Sequence, residues 1–283
     1  MNATSQISEE QRTLWNGPAG RAWVDLQDLL DRVLKPMEDR LTEAAVSGRA
    51  SRLLDVGCGT GSTTLGIARR LGPEGSCVGI DISAPMIAVA RDRAEAEALP
   101  ADFVCDDAQT HGFAPEGFDM IVSRFGIMFF EDPVAAFANL RRAARAGARL
   151  HVIAWRGPAE NSFMTTAERA AAPLLPDLPA RRPDAPGQFA FADEARVRGI
   201  LEDSGWAEID IRPVDFSCSL PAADLERYYT RLGPVGLALQ EADEALRTQV
   251  ADALRAAFDP YVHGPEARFT AACWFVSAQV PSV

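Results

Sequence analysis

Apolar positions change their spacing along the chain in a way that divides it into blocks. Over residues 1–48 they recur at helical spacing. Ser8 and Gln11 stand at capping-box distance ahead of one helical run, "NGPAG" at 16–20 breaks it, a second run spans about Trp23 to Leu34, and Pro36 opens a third that ends near Gly48. Over residues 49–156 short apolar runs alternate with helical ones. The strands expected are "RLLDV", "CVGID", "DFVCD", "FDMIVSRF" and "RLHVIAW", separated by the helices "STTLGIARRL", "SAPMIAVARDRAEAEAL" and "DPVAAFANLRRAARAG". Near-continuous apolar strands alternating with helices describe a parallel sheet covered on both faces.

The pattern fails over residues 157–190, where Pro173, Pro176, Pro179, Pro183 and Pro186 forbid a long helix or a central strand, so an insertion loop is expected there. From 191 to 283 a helix returns at "FADEARVRGILEDSG", followed by the strands "EIDIRPVDF" and "RFTAACWFVSAQ". A helical insertion at about 221–262 lies between those strands: Leu225, Tyr228, Tyr229 and Leu232 mark one amphipathic face, and Leu246, Val250, Leu254 and Phe258 another. The expected architecture is α/β, a doubly wound and mostly parallel seven-stranded sheet with an N-terminal helical lid and helical insertions.

Charge narrows the partners. The chain carries 28 Lys and Arg against 40 Asp and Glu, a net charge of −12, the wrong sign for neutralising a phosphate backbone, so no nucleic acid is expected. The N-terminal stretch lacks a basic region followed by an apolar core, and no run is apolar for the length of a bilayer; a cytoplasmic protein without a membrane span is expected. Five scattered cysteines and three isolated histidines suggest neither disulfides nor a metal site.

The chemistry is concentrated in "LLDVGCGTGSTTLGIARR", residues 53–70. Glycines between a strand and a helix let backbone amides approach a ligand. Here Asp55 precedes Gly57, Cys58, Gly59 and Gly61, and Ser62 stands where a dinucleotide site has its last glycine. An ionised Asp55 repels a pyrophosphate and suits a ligand that brings a positive charge. S-adenosylmethionine fits: its ammonium suits Asp55, its carboxylate suits the amides of the helix start, and its adenosine needs no phosphate pocket. Asp81 closes the next strand and can accept from both ribose hydroxyls.

"LLDVGCGTG" followed by "GIDIS" resembles the class I S-adenosylmethionine-dependent methyltransferases, a Rossmann-like fold, and most of all the small-molecule enzymes of the ubiquinone/menaquinone methyltransferase group. The likeness covers about residues 50–156, and "WNGPAGRAWV" at 15–24 is similar to the same group. It implies that Asp55, Gly57, Cys58, Gly59 and Gly61 hold the methionine end, that Asp81 binds the ribose, and that Ile82 and Met86 pack on the adenine. It implies adenine contacts at Asp107 and Ala108, with Asp106 an alternative acid, and a cofactor-facing end of the fourth strand at Ser123 and Arg124. Trp15 belongs to a lid over the cofactor or to the core.

Arg124 suits either the carboxylate of an acceptor or that of the methionine, and His263 is the candidate general base. The expected function is methyl transfer from S-adenosylmethionine, with S-adenosylhomocysteine as product, to a small apolar or aromatic acceptor through oxygen, carbon or nitrogen. An adenosyl-binding protein without turnover and an NAD-dependent oxidoreductase are the alternatives, and the oligomeric state stays open between monomer and homodimer.

Overall fold

Strands β1 (Arg52–Val56), β2 (Ser76–Asp81), β3 (Ala101–Cys105), β4 (Phe118–Arg124) and β5 (Ala144–Trp155) all run parallel in a computed structural model that describes residues 3–182 and 185–282. Strand β6 (Ala207–Pro221) forms an edge, and β8 (Glu266–Gln279) lies antiparallel between it and β5. The order is β3-β2-β1-β4-β5-β8-β6, with the two-residue β7 (Val262–His263) hairpinned onto β8, so the sheet has eight strands where the apolar runs announce seven. A pair of residues carries no apolar run, so β7 has no signature in the sequence.

Before the sheet come helices α1 (Ala3–Asn16), α2 (Pro18–Asp25), α3 (Gln27–Val33) and α4 (Lys35–Ser47). Helix α1 starts upstream of Ser8, whose side chain is not among those described, so the capping-box spacing there marks no helix start. "NGPAG" interrupts the chain only at Gly17, because Pro18 opens α2, and the run expected over 23–34 divides at Leu26. Helices α5 (Ser62–Leu71) and α6 (Ala84–Ala96) then connect the strands on one side of β1, and α7 (Pro133–Ala143) connects β4 to β5 on the other. Right-handed crossovers that leave β1 in opposite directions put these helices on opposite faces. Between them Leu53, Leu54, Ile80, Ile121, Val122, Leu150 and Ile153 are fully buried.

Three expected boundaries move. The alanine-rich stretch after Ala143 leaves the helix and joins β5, because Ala144 pairs with Phe118 and Gly147, at φ +73°, donates to the carbonyl of Val280; tertiary pairing overrides helix propensity there. The insertion contains helix α8 (Ser162–Ala171), which lies between Pro158 and Pro173; Pro183 lies outside the described residues. After α9 (Glu194–Asp203), the insertion between β6 and β8 holds three helices and not two: α10 (Leu225–Arg231), α11 (Gly233–Glu241) and α12 (Glu244–Phe258). "GPVG" reads as a breaker but starts α11: Pro234 occupies the first turn, and a side chain on Gly236 would strike the backbone of Arg231. No helix among the described residues is long and apolar enough to cross a membrane.

Candidate functional site

Strand order reverses at β1, whose neighbours are β2 and β4, and the carboxyl ends of these strands open a crevice at the switch point. Asp55 stands at that end of β1, 1% exposed, and its Oδ2 accepts from the Thr64 hydroxyl at 2.6 Å. Its Oδ1 is buried with no hydrogen-bond partner among the described residues. Burial lifts the carboxyl from its usual 3.8 to about 6, with the Thr64 hydrogen bond and the Arg124 charge opposing.

The loop that follows is pinned from below: the amides of Gly57 and Cys58 both donate to the carbonyl of Ile80, at 2.8 and 3.1 Å. Gly57, at φ +67°, faces Gly126 so closely that a Cβ on it would sit 2.5 Å from the Gly126 Cα. Gly59 is different: a Cβ there would meet only the Met86 sulfur, at 3.7 Å, so the loop is open to a ligand at that point. Gly61 stands at the N-cap of α5 and, having no side chain, makes no side-chain cap bond to the helix's amino end. Cys58 is buried, and burial drives its thiol well above the usual range.

Asp81 ties the second strand to this loop. Its Oδ2 accepts from the Gly59 amide at 2.8 Å and its Oδ1 from the Ser83 amide at 2.9 Å, which leaves each oxygen a further lone pair. Burial raises its carboxyl above the usual range, against the pull of those amides. Next to it the N-terminal helices dock. Asn16 donates to the Ile82 carbonyl at 3.0 Å and accepts from the Ala84 amide at 2.8 Å, while the Ser83 hydroxyl donates to the Trp15 carbonyl at 2.7 Å. The Trp15 ring meets Phe129 edge-on at 5.1 Å, so Trp15 bridges from the end of β2 to the turn after β4.

The adjacent acids after β3 are not equivalent. Asp106 accepts from the Asp107 amide at 2.9 Å and faces His111 Nδ1 at 2.7 Å, and the His111 hydrogen bond holds its carboxyl below the usual range. Asp107 accepts from the Gln109 amide at 2.9 Å, and the carbonyl of the buried Ala108 accepts from Asn139. Met86 is buried beside Gly59, and Ile82 is half-buried in the same corner.

At the end of β4 the Ser123 hydroxyl donates to the Val56 carbonyl at 2.6 Å and accepts from the Gly126 amide at 3.2 Å. It therefore holds β1 and β4 together beneath the crevice. Arg124 reaches the start of α5, with Nη1 3.4 Å from the Ser62 hydroxyl. Phe125 takes φ +64°, a strained value for a bulky residue, and stacks on Trp155 at 4.4 Å. Sequence reasoning misses Gly126: it lies outside any glycine motif, and only its approach to Gly57 reveals why it is there.

His263 is exposed in the β7 hairpin, at the part of β8 that lies past its pairing with β5. Among the described residues no hydrogen bond or ion pair ties it to Asp55, Asp81 or Arg124. Tyr228, Tyr229 and Tyr261 pack in the core of the helical cap formed by α8 and α10–α12, around Phe163, which stacks on Phe269 at 3.8 Å. The Tyr261 hydroxyl bonds to Ser162 and the Tyr228 hydroxyl to the Met164 sulfur.

A half-used buried carboxylate, an open glycine and an uncapped helix together fit a ligand with a cationic and an anionic group on one end, which is the methionine end of S-adenosylmethionine. Comparison with known proteins agrees. Residues 53–147 match the family model described as a methyltransferase domain. An uncharacterized protein of Mycobacterium bovis is 28% identical over 197 residues, 70% of this chain and 66% of its own length. A demethylmenaquinone methyltransferase of Mycobacterium sp. strain KMS is 30% identical over 196 residues, 64% of this chain and 81% of the relative. In fold, the YcgJ protein of Bacillus subtilis superposes with a TM-score of 0.58 at 15% identity, covering 87% of this chain and 98% of the other. The chain belongs to the S-adenosylmethionine-dependent methyltransferase family, with the ubiquinone/menaquinone methyltransferases among its relatives.

Proposed function

We propose that this protein transfers a methyl group from S-adenosylmethionine to a small apolar or aromatic acceptor. The observation that carries the reading is the free oxygen of the buried Asp55 carboxylate, at the switch point and below an open glycine loop. Asp55, Gly57, Cys58, Gly59 and Gly61 would hold the methionine end, Asp81 the ribose, and Ile82, Met86, Asp107 and Ala108 the adenine. Ser123 supports the site from below. When bound, S-adenosylmethionine supplies an electrophilic methyl group on a sulfonium.

The chain's own contribution is to align and to exclude water. Trp15 and Phe129 roof the loop, and the insertion returns over the turn after β4, where the Gly187 amide donates to the Met128 carbonyl at 3.0 Å. Apolar walls of this kind suit an uncharged planar acceptor, in keeping with the quinone-type acceptor in the names of the relatives. With His263 exposed on the β7 hairpin, the reading favours acceptors that ionise without a protein base, such as acidic phenols and enols.

Titration calorimetry with S-adenosylmethionine, S-adenosylhomocysteine and NAD tests the reading. Micromolar binding of both adenosyl ligands without NAD binding, followed by transfer of labelled methyl to a phenol or quinol, is the expected result. Absence of binding by both adenosyl ligands would overturn it, and binding without transfer to any acceptor would reduce the protein to an adenosyl-ligand binder.

A further inference from the structure

One buried polar group at the crevice is left without a partner and outside the residues assigned to the cofactor. Trp155 ends β5, 5% exposed, and its indole N–H makes no hydrogen bond among the described residues. Its nitrogen is not sealed in the packing, as Asp55 Oδ1 and Thr63 Oγ1 are, so it borders open space. The N–H groups of Trp206 and Trp274 are used differently: they donate to the carbonyls of Phe137 and Ala192, at 3.1 and 2.9 Å. A buried indole normally finds such an acceptor, because stripping water from the N–H without replacing it is costly.

The strand register places that side chain. Asp55 aligns with Val122, Val122 with His151, and Arg124 with Ile153. Aligned side chains share a face, and every second residue of a strand returns to it, so Asp55, Arg124 and Trp155 project from one face of the sheet, with Trp155 furthest towards the carboxyl ends. Phe125 is held beside it in a left-handed backbone at φ +64°: its amide donates to the Ile153 carbonyl at 3.0 Å, and its ring lies flat on the indole at 4.4 Å, with 6° between the planes. Strain at a bulky residue persists only where its surroundings fix it, and such residues cluster at ligand sites. The stack covers one face of the indole and leaves free the edge that carries the N–H.

We propose that the Trp155 N–H binds an oxygen of the methyl acceptor, so that the acceptor is a phenol or enol that enters with its oxygen against the end of β5. An indole nitrogen donates and cannot accept, which suits an oxygen that has given up its proton. That proton goes to solvent and Trp155 transfers none; the N–H holds the oxyanion and so favours the ionised acceptor without a protein base. The inference rests on the methyltransferase reading and deepens it: the acceptor narrows to an oxygen-bearing planar molecule, and Trp155 becomes the residue that orients it.

Calorimetry with 4-nitrophenol, at a pH where it is ionised, and with nitrobenzene, which lacks only the hydroxyl, isolates this contact in protein saturated with S-adenosylhomocysteine. The native protein should bind the phenolate roughly ten- to a hundredfold more tightly than nitrobenzene, the scale of a hydrogen bond to a charged group. Trp155→Phe keeps a ring to stack on Phe125 and removes the N–H. In that variant the ratio should fall about tenfold, with the affinities for S-adenosylhomocysteine and nitrobenzene unchanged. If the variant fails to fold, proton–nitrogen NMR of the native protein carries the test: one indole N–H signal should move downfield with the phenolate and stay in place with nitrobenzene.

A ratio that survives in Trp155→Phe overturns the assignment, and so does an equal loss for both probes, which is what a tryptophan that only packs would produce. An NMR titration in which no indole signal tells the two probes apart overturns it as well. If the native protein binds S-adenosylhomocysteine but prefers neither probe, or binds neither, only the acceptor contact falls. If it binds no adenosyl ligand, the methyltransferase reading falls with it.

Discussion

The crevice and the helical cap spend their polar groups in opposite ways. Among the described residues of the crevice Asp55 keeps an unused oxygen, Arg124 has one long hydrogen bond, and Gly61 gives the start of α5 no side-chain cap. In the cap the Tyr228 and Tyr261 hydroxyls are bonded to neighbouring side chains, and the rings close on one another around Phe163. Unused bonding capacity costs folding free energy and is kept where a ligand will use it. The cap shows no such reserve at these residues; it can shape an acceptor pocket by packing alone.

If that contrast is sound, damage to one region should spare the other. Phe163→Ala should cost about 3–5 kcal/mol of stability, the usual range for removing a buried ring, while S-adenosylhomocysteine affinity stays within about twofold. Denaturant titration and calorimetry on the same preparation measure both, and a parallel loss of affinity would break the separation.

Asp55→Asn should act in the opposite sense. A carboxyl that holds its proton more tightly folded than unfolded makes stability fall as pH rises from about 4 to about 6, and above that range the folded protein carries an unfavourable ionised group. The asparagine variant without ligand should therefore be more stable than the native protein at pH 7.5, by up to about 3 kcal/mol, and no more stable at pH 4. It should nevertheless bind S-adenosylmethionine more weakly. Thermal melts at the two pH values check the first expectation; a variant less stable at pH 7.5 would contradict it.

The smallest effect is expected at the seam between the N-terminal helices and the crevice. Asn16→Ala removes one donated and one accepted hydrogen bond at the β2–α6 corner and should weaken cofactor retention by about 1 kcal/mol, seen chiefly as faster release in stopped flow. An unchanged release rate would return Trp15 and Asn16 to plain packing.

What could be read in advance follows the same division. The sheet up to β5 is legible because each strand is a continuous apolar run, and the expected "RLLDV" and "STTLGIARRL" match β1 and α5 end to end. Asp55 and Asp81 are legible because a charge at the end of a buried strand has few reasons to be there. Arg124 is legible as a residue with an acceptor carboxylate and the methionine carboxylate both open to it, but its lack of an ion partner among the described residues is not, since that depends on Lys35 and Arg93 having taken the nearby acids. Gly126 needs Gly57 opposite it to make sense. The cap is the least legible part: α11 begins on residues that normally stop a helix, and His263 lies on a hairpin whose direction no local pattern encodes.

Strand β8 has one more consequence. It pairs with β5 only from Arg149↔Gln279 to Trp155↔Cys273, but with β6 the ladder runs on to Pro221↔Glu266. The ribbon that carries the cap is thus a direct extension of the sheet, whereas the N-terminal helices reach the crevice through the side-chain bonds of Asn16 and Ser83 and reach the cap through Arg231 to Asp25 at 2.6 Å. In mechanical terms the cap is a fixed wall and, of the N-terminal helices, only α1 can serve as the door, since Leu29, Val33, Met37 and Leu41 lock α3 and α4 into the core: an opening at α1 breaks a few side-chain bonds first and leaves the backbone ladder intact.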